Sequence, residues 1–169
     1  MSQSPDATSA TTSAAALADS FTFCQQLTRQ RAGNFYHGLK ITPRAKRAAM
    51  YAVYAWMRAA DDLADDPLPP AEKIPRLDAF RSATHAAARG VLPAAPGPGF
   101  ALMWPAVSAT LQSYPIDLQH LDDMLTGQLQ DQQQHTYQRY EDLHEYCYRV
   151  AGTVGLVCIS VWGYQGGAA

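Results

Sequence analysis

"PRAKRAAMYAVYAWMRAADDLADDP" (residues 43–67) reads as one long helix. Thr42 suits the N-cap, Pro43 suits the first helical position, and Pro67 forbids continuation. The spacing predicts a helix over 43–66. Its last two turns hold four carboxylates, Asp61, Asp62, Asp65 and Asp66. Residues i and i+4 share a helix face, about 6 Å apart along the axis. Asp61 therefore pairs with Asp65, and Asp62 with Asp66. Tyr51, Tyr54 and Arg58 continue the Asp61–Asp65 face backwards.

Like charges at this spacing destabilise a helix by a few tenths of a kcal/mol per pair. Carboxylates at a helix C-terminus also oppose the macrodipole, by roughly 0.3–1 kcal/mol each. Two readings follow: a solvated helix end, or a site that a cation completes. Mg²⁺ suits the second, because it takes one or two carboxylates and shares its other positions with water and phosphate. An Arg among the aspartates fits phosphate as well.

Outward from this helix, the pattern predicts a helix over about 16–31 and a short irregular or broken-helix connection over 33–43. A helix over about 72–89, a Pro/Gly-rich linker over 89–100 and helices near 101–113 and 115–131 come next. A polar turn over 131–140 leads into a last helix over about 141–163. No stretch shows sustained strand alternation, so the expected class is all-α. Residues 1–18, rich in Ser, Thr and Ala, are expected as a flexible arm, and 19–169 as one partial domain. There are no internal repeats.

Composition sets further bounds. The chain is 47% hydrophobic and 17% charged, which is globular. The net charge is −2 and no basic stripe with interleaved aromatics stands out, so nucleic acid is not an expected partner. Cys147 and Cys158 would lie about 16 Å apart on a helix, too far for a disulfide, and no zinc spacing exists. The start is not a secretory signal. The most apolar run, "VAGTVGLVCISVW" (150–162), is too short to span a bilayer and reads as a buried helix. The expected setting is cytoplasmic, with peripheral membrane association as an option.

A second constellation lies in "EYCYRVAGTVGL" (145–156). Gly152 and Gly155 each cost a helix about 1 kcal/mol against Ala. Close approach, by another helix or by a bulky apolar ligand, is the usual reason. Tyr146, Val150 and Val154 are spaced by four and share a face.

Together, "NFYHGLKITPRAKRAAMYAVYAWMRAADDLADD" and "YCYRVAGTVGL" resemble the squalene/phytoene synthase family, over roughly residues 20–165. The resemblance implies an all-α isoprenoid-synthase fold. It also implies Mg²⁺-dependent head-to-head (1′–1) condensation of two prenyl diphosphates, farnesyl or geranylgeranyl. By resemblance, Asp61, Asp62 and Asp65 hold the metal and Arg58 holds diphosphate. Tyr54 and Tyr146 face the reacting carbons. Asn34, at a position where many members have Ser, and Phe35 belong to the phosphate-contacting flap. Val150, Ala151, Val154 and Gly155 line the prenyl channel, and "GQLQD" places Asp131 at its rim. Use of NADPH is undecided by these residues.

The family's second Asp-rich motif has no counterpart here. The expectation is a partial domain with little synthase activity alone, or a non-catalytic subunit needing a homologous partner chain. A helical interaction module whose acidic end binds a basic partner is the non-enzymatic alternative. "EDLH" (141–144) is a Glu-x-x-His, but a di-iron bundle needs a second such pair and more Glu than this chain has. His37, His85, His120, His135 and His144 show no mutual ligand spacing and are expected at the surface. Trp56, Trp104 and Trp162 are expected in the core.

Overall fold

The computed structural model describes residues 6–93, 100–131 and 136–164. Among these residues eight α-helices follow one another: α1 (Asp6–Arg31), α2 (Asn34–Leu39), α3 (Arg44–Asp65), α4 (Pro70–Ala88), α5 (Trp104–Ser113), α6 (Leu118–Asp131), α7 (Tyr140–Cys147) and α8 (Thr153–Trp162). A 3₁₀ turn precedes α5, and a π turn (Tyr148–Gly152) joins α7 to α8. The described residues contain no strand, as the sequence pattern requires.

The hub is α3, which packs against α1, α4, α5, α6 and α8. Small side chains allow this: Ala49, Ala52, Ala55, Ala59, Ala60 and Ala64 are all buried and let neighbouring helices approach closely. Between α3 and α4 the core is aromatic. Trp56 stacks obliquely on Phe80, and Phe80 on Trp104, at centroid distances of 5.4 and 5.3 Å. The indole Nε1 of Trp56 donates to Thr84 Oγ1 at 2.8 Å, so its one polar atom is satisfied inside.

Three expectations change. Helix α1 starts at Asp6, not near 16, because the Ala/Ser/Thr run contains no breaker and Ala favours helix. Residues 1–5 of the expected arm lie outside the described residues, as do residues 94–99 of the 89–100 linker and residues 132–135 of the turn. The connection over 33–43 takes the broken-helix form, with the short helix α2 inside it. The single last helix divides at the π turn. There an i→i+5 ladder inserts one residue per turn, which helical periodicity cannot reveal. Trp56 and Trp104 are core residues, whereas Trp162 is 43% exposed. His37 and His144 are exposed, His120 is half-buried, and His85 is half-buried with Nε2 at 2.9 Å from Asp122. His135 lies outside the described residues. Cys24, Cys147 and Cys158 are free.

Candidate active site

The last turns of α3 form an acidic ledge. Asp61 and Asp62 are half-buried and Asp65 is exposed, while Ala60 and Ala64 hold the opposite side in the core. Each carboxylate has a different environment. Asp61 Oδ1 accepts from Gln128 Nε2 of α6 at 2.6 Å. Burial raises the Asp61 carboxyl above its ordinary value, and the charges of Asp65 and Asp62 push the same way; Arg58 and the Gln128 bond oppose them. Asp62 forms an ion pair with Arg58 one turn back. Asp66 pairs with Arg76 of α4 at 3.2 Å. Asp65 enters no ion pair among the described residues.

The fold supplies a cation to this helix end that local sequence does not announce. Lys73 of α4, only 8% exposed, donates from Nζ to the Ala64 carbonyl at 2.7 Å. A buried ammonium thus caps a terminal carbonyl and offsets the negative end of the α3 dipole. Together with Arg76 it removes part of the expected repulsion. Asp61 and Asp65, on the other face, have no ion-pair partner among the described residues.

The C-terminal turn of α6 reaches the ledge, the π turn and α7 with Gln128, Gln130 and Asp131. Gln128 holds Asp61, and Gln130 Oε1 accepts from Arg149 Nη1 at 3.0 Å. Asp131 accepts from the Tyr146 hydroxyl. That hydrogen bond is the main reason the Tyr146 phenol is pushed up to about 12. Its ring stacks on Tyr137, with centroids 5.1 Å apart. The close approach of α6 to the π turn depends on Gly127. A Cβ there would stand 2.8 Å from Val150 Cγ1 and 3.0 Å from Arg149 Cβ.

The sequence-derived residues are thus only partly gathered. Tyr54, Arg58, Asp61 and Asp65 line one stripe of α3, with the Tyr54 phenol raised chiefly by burial. Asp131 and Tyr146 stand beside each other across the α6–α7 junction. Asp61, Asp62 and Asp65 do not converge on one point: among the described residues no three His, Cys, Asp or Glu side chains form a ready metal cage. Asp62 is turned aside by Arg58 and Asp61 by Gln128. Val150 is packed over Gly127 rather than open, and Val154 packs on the core. Ala151 and Gly155 are exposed, and nothing lies within 4 Å of where a Gly155 Cβ would be. The Gly in truly close contact with another helix is therefore Gly127. Asn34 and Phe35 sit at the other end of α3. Phe35 lines a groove with Leu39, Pro43 and Trp162, and Pro43 lies about 27 Å from Asp61 by helical rise.

Gln128, Gln130, Lys73 and Tyr137 escaped sequence reasoning. Glutamine and lysine are common on helix faces, and only tertiary packing assigns them a partner.

Comparison with known proteins gives a consistent result. The family model described as squalene/phytoene synthase matches residues 28–169. A phytoene synthase from Arthrospira platensis is 37% identical over 145 residues, covering 86% of this chain and 45% of the relative. A 15-cis-phytoene synthase from Synechococcus elongatus is 38% identical over 151 residues, covering 89% and 47%. Among solved structures, a dehydrosqualene synthase in complex with ligand matches with a TM-score of 0.72 and 31% identity, over 86% of this chain and 48% of that one. Squalene synthase HpnC from Alicyclobacillus acidocaldarius matches with a TM-score of 0.76 and 28% identity, over 86% and 52%. The chain spans about half the length of the relatives it matches.

Proposed function

The chain belongs to the squalene/phytoene synthase family, and on that premise we propose that it carries the diphosphate-binding half of a head-to-head prenyltransferase site. The reaction class is 1′–1 condensation of two prenyl diphosphates, with farnesyl or geranylgeranyl diphosphate as substrate. Phytoene synthases among its relatives favour a phytoene-type product. The observation that carries this reading is the α3 ledge. Asp61 and Asp65 stand one turn apart, without an ion-pair partner among the described residues, at a helix end where Asp62 pairs with Arg58, Asp66 pairs with Arg76 and Lys73 caps the Ala64 carbonyl.

The donor set fits Mg²⁺. Two carboxylates on one face are what this ion takes from a protein when substrate phosphates and water supply the rest. The neighbouring charges of Asp65 and Asp62, which push the Asp61 carboxyl up beside the larger effect of burial, support a cation there. Bound there, Mg²⁺ would neutralise the diphosphate leaving group. Asp61 and Asp65 would hold it, with Asp62 as a helper. Arg58 exchanges its Asp62 partner for a diphosphate oxygen. Tyr54 presents an aromatic face to the cationic carbon that diphosphate departure leaves. Tyr146 contributes similarly, its hydroxyl occupied by Asp131 and so unable to attack that carbon. Ala151 and Gly155 leave room for an apolar chain and help to exclude water.

Titration calorimetry with geranylgeranyl diphosphate tests this reading. We expect binding only with Mg²⁺ present, and its loss in Asp61→Ala and Asp65→Ala. Binding unchanged in both variants would reject the site and leave an acidic interaction surface in its place.

A further inference from the structure

The partners of the α3 aspartates differ in charge. Asp62 pairs with the Arg58 guanidinium and Asp66 with that of Arg76, so a cation already matches each of these carboxylates. Asp61 receives a neutral amide instead: Gln128 Nε2 donates to Asp61 Oδ1 at 2.6 Å, across 67 residues. An ionised carboxylate only accepts, so the nitrogen end of the amide must face it. Such a bond orients a carboxylate without cancelling its charge. Among the described residues Asp61 Oδ2 accepts no hydrogen bond.

The helix that carries Gln128 is fixed from several sides. Leu121, Met124 and Leu125 are buried in the core and set the rotation of α6. Arg81 of α4 donates to Thr126 Oγ1 at 3.2 Å and stands 3.5 Å from Asp122. His85, one turn further along α4, meets the same Asp122 at 2.9 Å. On the opposite side Gly127, the residue before Gln128, admits Val150 to within 2.8 Å of where a Cβ would stand. Gln128 therefore reaches Asp61 from a helix with little freedom to rotate or slide.

We propose that Gln128 selects the cation: by holding Oδ1 it keeps Asp61 a one-oxygen ligand, which favours Mg²⁺ over Ca²⁺. The inference rests on the reading of Asp61 and Asp65 as a Mg²⁺ site and adds the source of its selectivity. Mg²⁺ is small, demands a regular shell and keeps much of its water, so one oxygen from each of two carboxylates suits it. Ca²⁺ takes more oxygens in a looser shell and accepts both oxygens of one carboxylate. With Oδ1 tied to Gln128, Asp61 offers that wider grip only by breaking a hydrogen bond. Groups that hold a ligating side chain in this way typically contribute roughly 10–100-fold to metal affinity. Gln128 is thus a positioning residue, acting through Asp61.

Calorimetry of the full chain with geranylgeranyl diphosphate, run in Mg²⁺ and again in Ca²⁺, tests the idea. The wild-type chain should bind more tightly in Mg²⁺. Gln128→Met is of similar length but has no donor. It should weaken binding in Mg²⁺ by about tenfold or more and leave binding in Ca²⁺ unchanged or tighter. Equal weakening in both ions would mark a merely structural role and overturn the proposal. Gln119→Met removes the same kind of bond, from Gln119 Nε2 to Asp123 at 2.8 Å, at an exposed place on α6. It should alter neither affinity, and an effect equal to that of Gln128→Met would overturn the proposal. ¹⁵N NMR of the wild-type chain follows the Gln128 amide itself, without a variant of Gln128 that has to fold. Its side-chain signals should stay protected from exchange when Mg²⁺ and the diphosphate are added, and lose protection in Asp61→Ala. Release of the amide on loading, or indifference to Asp61→Ala, would overturn the proposal. Two failures are distinguishable. If the wild-type chain binds the diphosphate with neither ion, the site reading falls and this proposal with it. If Asp61→Ala abolishes binding in Mg²⁺ while Gln128→Met keeps the wild-type ion preference, this proposal alone falls.

Discussion

Asp61 shows how one residue can be poorly placed for stability and well placed for a ligand. Its carboxyl is raised above the ordinary carboxylate value by burial first and by Asp65 and Asp62 next. The folded state therefore holds its proton more tightly than the unfolded chain. Stability is lost as pH rises from the ordinary value near 3.8 through the raised one. Asn can still accept the Gln128 bond but carries no charge. Asp61→Asn should therefore gain about 0.5 kcal/mol at pH 7, or about 1–2 °C in Tm by calorimetry, and the gain should vanish below about pH 4. Tyr146 has the same sign of shift for another reason. Its hydroxyl is kept protonated by donating to Asp131, so its contribution is complete below pH 10 and lost as pH rises towards about 12. Absorbance titration should find its phenolate appearing near pH 12, and Asp131→Asn should bring that midpoint down towards 10.

Among the elements, the glycines separate packing from open space. Gly127→Ala drives a methyl into Val150 and Arg149, and should cost about 1–3 kcal/mol in urea unfolding. Gly155→Ala meets nothing, and should instead stabilise α8 by about 0.5–1 kcal/mol. The two results would show that α6 presses on the π turn, whereas the exposed face of α8 is free for an apolar chain. Lys73 offers a complementary probe. Lys73→Met removes the charged cap on the Ala64 carbonyl and should cost about 1–2 kcal/mol by the same measurement.

At the scale of the whole molecule, what was legible followed local rules. The α3 ends followed from Pro43 and Pro67, although the N-cap residue is Pro43 rather than Thr42 and no side chain caps it, and Trp56 is in the core as expected. The all-α class followed from the absence of alternation. The π turn was not legible, because an i→i+5 ladder has no periodic signature in five residues. Nor was the grip of α6 and α4 on the acidic ledge, because Gln128 and Lys73 acquire partners only when distant helices meet. Distance along the chain has a further consequence at the far end of α8. Trp162 donates its indole N–H to Thr42 at 3.2 Å across 120 residues, and its carbonyl takes Lys46 across 116. Contacts of such separation close the largest loops and form after the local helices. We expect this clasp to be among the last contacts made and the first undone. Thr42→Val should speed unfolding while leaving the folding rate nearly unchanged, and the partly exposed Trp162 gives stopped-flow fluorescence a reporter at the seam.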